Sequence, residues 1–169
     1  MRPLRLSDPE GARLAREKRL ELPSRQARLG AVADHRLSPL ADAEIAAARS
    51  GSPREATFAG LHRDVSGDLL REARLERLED GRQLWRVSLR SPGAGGLRVH
   101  FAGFDAGAGR VWVHDGSGDE AEIHGPYMAR GPFDDGDFWS DIVLSERIVI
   151  EYEPGAAMGP VDDPPFQIR

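Results

Sequence analysis

"ARLERLEDGRQLWRVSLR", residues 73–90, admits two readings, and the choice between them decides the fold. Read with the residues before it, Leu69, Leu70, Ala73 and Leu78 share one face of a helix with Ser66 as its cap. Read as strands, the same stretch is a hairpin turning across Glu79-Asp80-Gly81. The second arm favours the hairpin, because Trp85, Val87 and Leu89 alternate with Arg86, Ser88 and Arg90. That period describes a half-buried strand, whose backbone groups need a partner strand. The expectation is a brief helical turn near 66–70 followed by the hairpin.

Downstream, short apolar runs alternate with turn residues. "SPGAGG" precedes "LRVHF", where Leu97, Val99 and Phe101 share a side; "DAGAG" precedes "RVWVHD"; "GSGDEAE" precedes "IHGPY". The last strong run, "RIVIEYE" at 147–153, sets Ile148, Ile150 and Tyr152 against Val149, Glu151 and Glu153. Few helical crossovers fit between these runs, so a doubly wound parallel sheet is disfavoured. The expected fold is all-β, an antiparallel two-layer β-sandwich of jelly-roll-like character over residues 57–169.

Residues 1–56 differ in character and read as an extension that is flexible or carries short helices. One helix candidate begins at Asp8 and Pro9 and runs to Pro23; a better one, "SPLADAEIAAAR" at 38–49, has Ser38 as cap and Gly51 with Pro53 as stop. Alanine supplies much of their apolar content, so neither promises a core and mobility is preferred for the segment.

With 169 residues the chain has room for one ordinary core. A net charge of −5, with basic residues gathered near the start, gives no support for nucleic-acid binding. No cysteine is present, so disulfides, thiolate metal sites and a cysteine nucleophile are excluded. The opening residues lack the apolar run of a signal peptide, and no stretch is long and apolar enough to span a membrane.

The densest candidate for chemistry is "GPFDDGDFWSD", 131–141, which holds Asp134, Asp135, Asp137 and Asp141. Calcium favours such oxygen-rich loops, in a site shared with distant Asp105 or Asp115, but the spacing is not that of an EF-hand. Solvated turn carboxylates are the simpler reading. Tyr127, Phe133, Phe138 and Trp139 are candidates for packing or for a recognition surface toward peptide or carbohydrate, with Gly131 and Gly136 allowing turns that hold the rings inward. His62, His100, His114 and His124 form no zinc motif, and "HDGSGDE" at 114–120 cannot fold into a triad around Ser117. The Gly-rich stretches lack the residues of a phosphate loop and read as turns.

The run "GRQLWRVSLRSPGAGGLRVHFAGFDAGAGRVWVHD", then "HGPYMARGPFDDGDFWSDIVLSERIVIEYEP", then "PPFQI" resembles the amino-terminal β-sandwich region of exported bacterial trypsin-like serine endopeptidases related to lysyl endopeptidase. The resemblance covers about residues 57–168. It implies a noncatalytic accessory or prodomain-like module that assists folding, packing or regulation of a peptidase domain, which would be its partner. It also implies a secreted or periplasmic setting, whereas the missing signal peptide fits cytoplasmic expression of a fragment. The catalytic His, Asp and Ser of that family belong downstream, so the resemblance transfers no catalytic residue, and no cofactor is expected apart from calcium. The alternative is a stand-alone module binding peptide, carbohydrate or calcium.

Overall fold

The computed structural model describes residues 21–51, 60–65, 69, 73–118, 122–156 and 162–169. The hairpin reading of 73–90 is the one realised. Strand β2 (Arg74–Arg77) follows the short strand β1 (Asp34–Arg36) in the chain and pairs antiparallel with β3 (Gln83–Arg90), Leu75 opposite Trp85. At the turn, Leu78 N–H donates to Arg82 O (2.8 Å) and Gly81 N–H to Leu78 O (2.9 Å). Gly81 has φ +85°, the left-handed conformation that closes a three-residue hairpin loop and that a Cβ would resist. Of the turn expected at 66–70, only Leu69 lies within the described residues, and it is buried.

The other strands are β4 (His100–Ala102), β5 (Gly107–His114), β6 (Ile123–Ala129), β7 (Phe138–Trp139), β8 (Arg147–Glu153) and β9 (Gln167–Ile168). The large sheet has the order β1-β3-β8-β5-β6, with β2 also on β3; the small one is β7-β4-β9. Together they form an all-β, sandwich-like arrangement of six and three strands. The sheets are antiparallel with one exception: β1 runs parallel to β3, Asp34 beside Ser88. A parallel pair needs no tight turn, and β1 reaches its place from the N-terminal segment rather than from a neighbouring hairpin.

Alternation sets the core. Trp85, Tyr152 and Val111 are aligned across β3, β8 and β5, as are Val87, Ile150 and Val113 in the next inward row. Against them pack Phe101, Phe138 and Ile168 of the small sheet, with Val99, Phe104 and Phe166. Phe101 is the hub: its ring centroid lies 5.2–5.4 Å from those of Phe104, Phe138 and Phe166. Such tilted and edge-on contacts suit the ring quadrupole.

The outward row of the large sheet, Arg86, Glu151 and Trp112, was expected to face water on β3, but it is buried as well. Residues 22–37 lie across it. Leu22 packs on Trp112 and Ile123, and a one-turn helix α1 (Pro23–Gln26) starts behind it. Gly30 O accepts from Arg86 (2.9 Å), Val32 O from Arg147 (3.2 Å), and Asp34 from both Ser88 and Arg147 (2.7 Å each). Leu37 N–H donates to Arg90 O (2.9 Å). Low apolar content is the ground for expecting mobility here; the contacts of residues 22–37 with the sheet are mainly polar, which apolar content does not measure. Helix α2 (Asp42–Gly51) begins later than Ser38; Glu44 accepts the N–H of Ala41 (2.8 Å), giving half of a capping box. The first helix candidate, from Asp8, lies outside the described residues apart from its last positions.

Candidate functional site

Residues 131–141 form a closed turn system followed by β7. Gly131 N–H donates to Met128 O, Gly136 N–H to Arg130 O, and Phe104 N–H to Gly136 O, which pins the loop to the core. Gly131 (φ +84°) and Gly136 (φ +79°) supply the left-handed turns. The period of two in β7 then sends Phe138 inward and Trp139 outward. A Cβ on Gly131 would come within 2.4 Å of the Phe138 ring. Gly131→Ala is therefore expected to lower stability by about 2 kcal/mol, combining a disfavoured φ with overpacking, as a shift of the urea midpoint at unchanged slope.

The four aromatic candidates separate into two pairs. Phe138 belongs to the core, and Tyr127 is packed against it and Phe101. The Tyr127 hydroxyl accepts from Asp141 N–H (3.0 Å), and burial pushes its pKa up to about 12. Phe133 is 75% exposed and Trp139 39%. The Trp139 ring is already attended: His100 stacks at 4.8 Å, Arg98 lies 4.5 Å from its centroid, and His62 meets it edge-on at 5.5 Å.

The aspartates of the loop are engaged locally. Asp137 holds His100 Nε2 (2.7 Å), Asp135 accepts Asp137 N–H (3.0 Å), and Asp141 lies 3.6 Å from His124. Among the described residues, no group of three or more His, Asp or Glu could hold a metal ion. Asp115 accepts Ser117 N–H (2.9 Å) in a short turn and does not join this loop's contacts.

Of the exposed large apolar side chains among the described residues, all but Leu75 fall between 128 and 144: Met128, Phe133, Trp139, Ile142 and Leu144. Isolated exposed apolar residues are ordinary, but their confinement to one stretch is not. Asp134, Asp135, Asp137 and Asp141 belong to the same stretch, all exposed.

A second constellation, absent from the sequence reading, sits on the far face of the large sheet. Glu151, 1% exposed, accepts the backbone N–H of Ser24 (3.2 Å), a very short bond from the Ser24 hydroxyl, and one from His114 Nε2 (3.1 Å). Gly116 N–H donates to His114 Nδ1 (3.1 Å), which assigns the proton to Nε2. Burial pushes the Glu151 carboxyl up, but the bonds from His114 and Ser24 outweigh it and hold the group below the ordinary glutamate range. The carboxylate is central here, between serine and histidine. In a hydrolytic triad the histidine is central, so that it can take the serine proton. A carboxylate with a depressed pKa is a weak base for Ser24, and the geometry is that of a tether holding residue 24 to β8.

Ser24 and Glu151 are separated by 127 positions, so no local motif could have announced them. The one available signal was the pair of glutamates in "IVIEYE", on a strand whose partners fix both faces. No family model, curated protein or solved structure matches the chain. The resemblance to peptidase-associated regions accordingly rests on the quoted motifs.

Proposed function

We propose that this chain is a noncatalytic module that docks on a folded protein partner through the surface carried by residues 128–144. Among the described residues, the exposed large apolar side chains other than Leu75 all fall in that stretch, and this is the observation that supports the reading. The aspartates around it favour a partner whose contact surface is apolar at its centre and ringed by Lys and Arg. A trypsin-like serine endopeptidase domain, packed or folded with help from this module, is the partner that the motif resemblance suggests. Carbohydrate recognition has less support, since His100 and Arg98 already attend the Trp139 ring that a sugar would stack on. Calcium has less support too, because Asp137 and Asp141 have side-chain partners of their own.

The test uses the double variant Phe133→Ser/Leu144→Ser, two exposed positions whose change should alter stability by no more than about 0.5 kcal/mol. The wild-type chain should bind a separately supplied peptidase domain of the resembled family, or raise its refolding yield, and the variant should bind at least about tenfold more weakly. Absence of both effects in the wild type would remove the accessory reading. Equal binding by the variant would place the contact elsewhere.

A further inference from the structure

We propose that the pocket between residues 24–32 and the outer face of the large sheet is a binding site for a small oxyanion, a carboxylate or phosphate group. The pocket measures about 200 Å³ and is bounded by Arg25, Arg86, His114 and Arg147, with Glu151 the sole carboxylate lining it among the described residues. Such a volume holds about six or seven waters at bulk density, which suits a compound of a few heavy atoms rather than a drug-sized ligand.

The charges on the walls are not equivalent. Glu151 already receives both Ser24 donors and His114 Nε2, so its oxygens are occupied. Arg86 and Arg147 are paired with Glu76 and Asp34, neither of which lines the pocket. Their guanidinium groups therefore contribute positive potential to the pocket, which is partly open to solvent. Arg86 is buried and held in place on the pocket wall by bonds from Nη1 to Gly30 O (2.9 Å) and from Nη2 to Glu76 (2.6 Å).

Gly116 makes room for the second guanidinium. A Cβ there would lie 2.6 Å from an Arg147 Nη atom, so the turn after β5 approaches this side chain as only glycine allows. The result is a small pocket under a polar strap, with arginines from two adjacent strands on its walls. Arginine at such positions matches the planar, multiply accepting geometry of carboxylate and phosphate.

The experiment titrates the full chain with inorganic phosphate, sodium acetate and, as controls at matched ionic strength, sodium chloride and uncharged glycerol, following the backbone amide resonances of Gly116 and Gly118. Saturating shifts with phosphate, acetate or both, absent from the controls, are expected, and the tighter of the two identifies the acid group. Ala31 lines the pocket and is exposed, so Ala31→Asp adds a repelling charge without touching the core and should weaken binding about tenfold. Arg147→Met should weaken it similarly, and Ala31→Asp preserves the test if that variant misfolds. Shifts that do not saturate, that chloride reproduces, or that Ala31→Asp leaves unchanged would overturn the proposal.

Discussion

Phe101→Ala is expected to melt roughly 10 °C below the wild type, a loss of about 3–5 kcal/mol. The Phe101 side chain is fully buried, and its ring touches Phe104, Phe138 and Phe166 at once, so truncation opens a cavity bounded by three rings that are each fixed from another side. Phe104 and Phe166 also stack on one another, and Tyr152 meets Phe166 edge-on, which limits how far the cluster can collapse into the gap. The total stability of a domain this size is of the order of 5–15 kcal/mol, so the variant is expected to approach the threshold of folding. Phe133→Ala is the comparator. The same chemical change at an exposed ring should move the melting temperature by no more than about 2 °C. Equal losses at the two positions would refute the assignment of Phe101 to the centre of the core.

Glu151→Ala carries the second large effect, roughly 3 kcal/mol, through a different mechanism. No large apolar volume is lost. Instead the hydroxyl and N–H of Ser24 and the Nε2–H of His114 lose their acceptor inside the protein. The damage should be local first: amide hydrogen exchange in residues 22–37 should accelerate well beyond that of β3 and β8. Acid should mimic the substitution. Because the folded-state pKa of Glu151 is lowered, its stabilising contribution is complete above the ordinary glutamate range and is lost as pH falls through the folded value. Protection of 22–37 should therefore fade below about pH 4 in the wild type, and Glu151→Ala should show a smaller step, because Asp34 ties the same segment and, although burial pushes its carboxyl up, the bonds from Ser88 and Arg147 hold it below the ordinary aspartate range. Unchanged protection of this segment in the variant would show that the tether does not hold it.

The parts of the fold that were legible in the sequence are those governed by alternation. Trp85, Val87 and Leu89 announced a strand, Ile148, Ile150 and Tyr152 another, and Glu79-Asp80-Gly81 the turn that excludes a long helix at 73–90. Strands β7 and β9 span two residues each, too few for any period to register. Covering of the outer face is not legible for another reason: the contacts are Ser24 to Glu151, Gly30 to Arg86 and Asp34 to Arg147, and hydrophobic patterning is blind to polar docking. Within 131–141 the glycine turns were readable, whereas which ring faces inward depended on the register of a strand that the sequence did not reveal. Phe138 and Trp139 are neighbours with opposite fates because β7 pairs Phe138 with Phe101 and Trp139 with His100.

The borders of the two sheets have a bearing on solution behaviour. One border of the large sheet is divided between β1 and β2, three and four residues long, and the other is β6, which contains Pro126 and whose pairing with β5 shifts register twice. The small sheet is bordered by two-residue strands on both sides. None of these offers an uninterrupted ladder of free amides and carbonyls, the template on which polymerising chains grow. Among the described strands, edge-to-edge pairing between copies is thus disfavoured.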